Sequence, residues 1–140
     1  MRSNVLIATG GVGLLLGVAP AWAHHAFAAE FDATKPLHLV GTVTKVEWIN
    51  PHAWIHIDVK GANGKVTSWM IEGGAPNTLI RRGVTKASLP AGAEIVVDGF
   101  QAKDGTNTAN GQSITQPDGT KLFLGSSLGA TPGDPGGDKK

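Results

Sequence analysis

The stretch "HAWIHIDVK", His52 to Lys60, alternates: Ala53, Ile55, Ile57 and Val59 fall on one side, and His52, Trp54, His56 and Asp58 on the other. Successive strand side chains point to opposite faces, so a period of two predicts a strand with an aliphatic inner face and a polar outer one. The run before it, "LHLVGTVTKVEWI", is rich in Val and Thr and predicts a first strand, with Gly41 placed for a bulge or sharp bend. A "GANGK" turn, in which Asn63-Gly64 is a hairpin signal, leads into a third strand, "VTSWMIEG". In "GGAPNTLIRRGV" the pattern changes. Pro76 suits a first helical position, Arg81 and Arg82 suit the last turn, and Gly83 suits the residue past the end, so one short helix is predicted. After the linker "TKASLPAGA", "EIVVDGFQAK" predicts a fourth strand, "DGTN" a turn, "TANGQSITQ" a weak fifth strand and "DGTKLFL" a final edge strand.

Three strands, a short helix and two or three further strands predict a mainly β domain, a small OB-like barrel of five to six strands. A β-sandwich or an open barrel is the competing architecture. The expected organisation is a signal peptide at 1–23, a histidine-containing segment at 24–35, the OB-like domain at 36–124 and a disordered Gly/Pro-rich tail at 125–140. The tail, "GSSLGATPGDPGGDKK", holds too little apolar surface to offset the cost of ordering it.

The first 23 residues carry one charge, Arg2, then the apolar run Val5 to Ala19, then the small-Trp-small triplet Ala21-Trp22-Ala23. That is the layout of a cleavable signal peptide, and the run is short of the roughly 20 apolar residues that a membrane-spanning helix needs. The expectation is export with no retained membrane span. Without Arg2, eleven basic and eleven acidic residues remain, a balance that argues against a nucleic-acid partner. Cysteine is absent, so there is no disulfide framework, thiolate metal site or cysteine nucleophile; for an exported chain the periplasm is the expected location.

All five histidines, His24, His25, His38, His52 and His56, fall within 33 residues. Cleavage after Ala23 makes His24 a chain terminus, whose α-amine and ring Nδ1 form a chelate suited to copper(II). His25, with His52 or His56, would complete a copper or zinc site. His52 and His56 share a strand face but lie about 13 Å apart at ~3.3 Å per residue, too far for one metal unless a bulge intervenes. The plainer reading makes His24 and His25 solvated residues of a chain terminus.

The second constellation is "WINPHAW". Asn50-Pro51 ends the first strand and sets Asn50, Pro51 and His52 at the tip joining strands one and two. In an OB-like barrel this loop and the loop between strands four and five border the ligand face, which gives Asn50, His52, Trp54, Lys103, Asp104 and Asn107 as candidate ligand-binding residues. Trp48 and Trp69 are expected in the core. Glu30, Asp32 and Glu47 form no acid–base pair, the serines lack a nucleophile-elbow setting, and phosphate-binding glycine motifs are missing, so no catalytic constellation is recognised.

At "HHAFAAEFDATKP", "GTVTKVEWINPHAW" and "GGAPNTLIRRGV…L…G…VVDGFQAKDGTNTA" the chain resembles an uncharacterised family of small exported bacterial proteins, domain of unknown function 6152. The resemblance runs from Ala23 to about Leu124. It departs at Val84, where an aromatic residue is expected. It implies a periplasmic single-domain β protein and brings no activity with it. The leading expectation is a small non-enzymatic periplasmic binding module with its ligand site at the Asn50-Pro51-His52 end of the barrel, its partner a small molecule, a metal or an envelope protein. A copper- or zinc-binding protein and a structural accessory subunit docked on an envelope enzyme through its exposed strand edges are the alternatives.

Overall fold

The computed structural model describes residues 27–125. The expected signal peptide, His24, His25 and all but the first residue of the tail lie outside them. A helical turn over residues 27–30 (α1) is followed by β1 (Phe31–Glu47), β2 (Trp54–Lys60), β3 (Val66–Glu72), α2 (Pro76–Arg81), β4 (Glu94–Ala102), β5 (Thr108–Thr115) and β6 (Lys121–Phe123). The chain is mainly β, with the short second helix between the third and fourth strands, as expected. The sheet runs β3-β2-β1-β4-β5-β6, and a parallel β3–β5 pairing brings five strands into a ring with β6 beside β5.

The period of two in β2 resolves as predicted. Ala53, Ile55 and Ile57 are fully buried, and with Val43, Ile71, Ile95, Val97 and Ile114 they fill the inside of the ring. Leu79 of α2 joins the same core. Pro76 opens that helix and Gly83, at φ +84°, ends it, while the Val84 N–H donates to Leu79 O at 2.9 Å. Trp48 and Trp69, expected in the core, are half-buried and pack against its margin. Among the described residues no helix is long and apolar enough to cross a membrane.

Three features depart from the expectation. β1 begins at Phe31, six residues before the "LHLV" run, because Phe31 pairs with Ala102 on β4. Between them and the next pair, Pro36↔Phe100, the register shifts over a turn in which Asp32 Oδ1 accepts from the N–H and hydroxyl of Thr34. The irregularity expected at Gly41 lies further along, between Val43 and Lys45. Gly41 instead marks a close approach: a Cβ there would sit 3.0 Å from Asp58 O, beside Thr42, which pairs with both β2 and β4. The fifth strand, weak by pattern, is central, pairing with β3, β4 and β6.

Candidate functional site

Trp54 stands on the outer face of β2, between Glu47 of β1 and Glu72 of β3. His56, next on that face, pairs through Nε2 with Glu47 Oε2 at 3.0 Å, and Lys45 Nζ holds the other oxygen of Glu47 at 2.8 Å. Asp58 accepts from the Ser68 hydroxyl at 2.6 Å. These contacts account for the far end of the face as an ordinary cross-strand polar ladder.

The near end is different. The Asn50-Pro51 bond is cis, and His52 follows it with Nδ1 3.2 Å from Gly73 O and 3.5 Å from Glu72 Oε1. A carbonyl only accepts, so Nδ1 carries a proton, and whenever the ring is neutral the bare nitrogen is Nε2. Glu72 is buried, and Asn110 Nδ2 donates to the same Oε1 at 3.4 Å. Gln112 in turn donates to Asn110 Oδ1 at 2.8 Å. A chain of polar side chains, His52, Glu72, Asn110 and Gln112, thus crosses from the Asn50 loop to β5.

Burial pushes the Glu72 carboxyl above the usual carboxylate range; His52 opposes this and the carboxylate of Glu30 adds to it. A carboxyl raised in this way binds more protons folded than unfolded, so its contribution is full below the unfolded value and is lost as pH rises through the folded one. Glu72→Gln is therefore expected to leave stability unchanged in acid and to raise it by about 1 kcal/mol above that window. Thermal melts over a pH series check this. A variant less stable than the wild type at neutral pH would mean that attraction to His52 outweighs the cost of burying the charge.

Beside this chain lies a cavity of about 420 Å³, lined by Glu30 at the end of α1, Phe31 at the start of β1, Trp54 of β2, and Lys103, Asp104 and Thr108 around the β4–β5 loop. The loop is shaped by Asp104, whose Oδ1 accepts from the Thr106 N–H at 2.9 Å and hydroxyl at 2.7 Å, with Gly105 at φ +76°. Those hydrogen bonds hold the Asp104 carboxyl below its ordinary range. Lys103 is tied to the N-terminal segment: its N–H donates to Glu30 O at 2.9 Å and its Nζ to Ala28 O. The segment is anchored by aromatic packing, with Phe27 stacked on Phe31 at 5.7 Å and edge-on to Phe100 at 5.8 Å.

Of the residues expected to bind a ligand, Trp54, Lys103 and Asp104 line this cavity. His52 reaches Glu72, the cross-strand neighbour of Trp54. Asn50 and Asn107 are exposed and line no part of it; the Asn107 carbonyl accepts from the Met70 N–H at 3.0 Å. Of the residues expected to hold a metal, His52 and His56 face different carboxylates, and His24 and His25 lie outside the described residues. Among the described residues no three His, Asp or Glu side chains gather as a metal-holding group.

Phe31, Glu72 and Asn110 are not among the candidates read from the sequence, and Glu30 is considered there only as a catalytic acid or base. Phe27 and Phe31, two large apolar residues in an otherwise small and polar segment, carry a signal for Glu30 and Phe31, and their rings meet where the helical turn passes into β1. Nothing local marks Glu72 or Asn110, because their burial arises where β3 meets β5.

No curated protein matches this sequence. The family model described as "Family of unknown function (DUF6152)" matches residues 13–112, a span that starts upstream of Ala23 and stops inside β5. It takes in most of the ring, including Trp54, Glu72, Lys103 and Asp104, and on that match the chain belongs to this family of unknown function, DUF6152.

Proposed function

We propose that this protein is a non-enzymatic binding module of the periplasm, exported by a cleaved signal peptide, and that it takes a small molecule into the Trp54 cavity. The supporting observation is the convergence of Trp54, Lys103 and Asp104, which come from two distant parts of the sequence, on one hollow of about 420 Å³. That volume suits a compact organic ligand, and an aromatic floor with a few fixed polar groups is the usual make-up of such a site. Glu30 and Phe31 complete the wall.

A second reading, a copper- or zinc-binding protein, has one observation in its favour. The Gly73 carbonyl orients His52 so that Nε2 is free to accept, the state a metal-binding imidazole needs. His25 and the terminal His24 would supply the remaining nitrogens.

One experiment separates the two. Proton–nitrogen NMR spectra of the chain beginning at His24 are recorded with amines, amino acids, sugars, organic acids and copper(II) in turn. A small organic ligand is expected to move the Trp54 indole N–H and the Thr108 amide, and Trp54→Ala to abolish the effect. Selective broadening around His52 by copper(II), with no organic compound moving Trp54, would replace the first reading with the second. If neither occurs, the cavity is not a binding site.

A further inference from the structure

The cavity also has a chemical preference, which rests on its being the binding site. We propose that its ligand is an organic cation, an ammonium or amidinium group on a compact apolar body. The lining combines two aromatic residues, Trp54 and Phe31, with two carboxylates, Glu30 and Asp104. A third carboxyl, Glu72, stands beside Trp54 in the sheet. The one basic side chain among the described lining residues is Lys103, and its ammonium donates to the carbonyl of Ala28, which is not part of the lining.

Each part of a cation finds a partner here. The face of an indole attracts positive charge through its ring quadrupole, and carboxylates at the rim of a partly water-excluding hollow strengthen that attraction. The lining itself sets two carboxylates, Glu30 and Asp104, against one ammonium, Lys103, so its acidic groups outnumber its basic one. An anion would have to shed water beside two carboxylates. A bare metal ion would need a set of three ligating side chains, and none is assembled among the described residues. A neutral sugar would leave the charge excess uncompensated.

The test titrates the full chain at neutral pH with choline, cadaverine and arginine amide. Each is compared with an uncharged analogue, 3,3-dimethylbutan-1-ol standing for choline, and with succinate as the anion; the Trp54 indole resonance is followed throughout. At least one cation is expected to bind about tenfold more tightly than its uncharged analogue, and to weaken as salt is added. Glu30→Gln combined with Asp104→Asn is expected to remove that difference. Both changes keep the shape of the side chain, and the amide oxygen at position 104 preserves the turn with Thr106, so an unchanged melting temperature shows that the fold is intact. If the uncharged analogues bind as tightly as the cations, or succinate binds better, the charge preference is wrong and the cavity remains a binding site. If no compound moves Trp54, both the preference and the site are overturned.

Discussion

Gly99→Ala is expected to destabilise the protein by about 3 kcal/mol or more, the upper range for forcing atoms into a packed interior. A Cβ at this position would stand 2.3 Å from Asn110 O, 3.1 Å from Asn110 C and 3.3 Å from Gly111 Cα. All three are backbone atoms and none can swing aside. The approach is this close because β4 and β5 change register between Asp98 and Gly99, so that Gly99 sits opposite Gly111. To admit a methyl group the strands must part, and Asn110 is then drawn away from Glu72. Gly64→Ala is the control. Gly64 is in the left-handed region at φ +80° with nothing within 4 Å of its added Cβ, so the cost there is strain alone, about 1 kcal/mol. Urea unfolding midpoints of the two variants check the contrast. A Gly99→Ala protein as stable as Gly64→Ala would mean that the two strands are not packed as described.

Phe31→Ala carries the second large effect and links stability to the site. The ring is buried, stacks on Phe27 and lies beside Ala102 in the small cluster outside the main core. Removing a buried phenyl group costs about 3 kcal/mol through lost transfer energy and the cavity left behind. Because Phe31 also walls the ligand cavity, its loss is expected to free residues 27–30 and uncover Trp54. Hydrogen exchange at Ala29 and Glu30 should quicken, and acrylamide should quench tryptophan fluorescence more efficiently, even before ligand binding is measured. Wild-type exchange and quenching in this variant would show that the aromatic cluster does not hold the wall in place.

The legible and illegible parts of this protein divide along a physical line. Hydrophobic period and turn chemistry act over a few residues, and wherever they decide the outcome the reading from sequence holds. Examples are the inward Ala53, Ile55 and Ile57, and the Pro76 start and Gly83 end of α2. The same signals misplace the start of β1. Residues 24–35 read as a segment ahead of the β domain, and what draws Phe31 into the sheet is a partner on β4, at Ala102, some seventy residues away. The fifth strand is undervalued for a related reason. Its Asn110-Gly111 core weakens it by propensity, whereas between two backbones in close contact a glycine is what fits.

The candidate site shows the division most clearly. Trp54, Lys103 and Asp104 were reachable from sequence, since a proline-braced tip and a tight turn mark loops where side chains are held. The other three candidates, Asn50, His52 and Asn107, are not part of the cavity wall. Loop membership is a local property, while the direction of a side chain depends on how the ring closes.

By itself, then, the sequence determined the order of elements, the inner and outer faces of the strands and the ends of the helix, because each is set by neighbours along the chain. Only the tertiary structure decided that Glu72 is buried, that Asn110 meets it from 38 residues away, and that the N-terminal segment becomes a cavity wall. The reason is the parallel pairing of β3 with β5, together with the register shifts in β1 and β4. These bring distant outward-facing positions under cover, and no local pattern encodes a contact that exists only once the ring is closed.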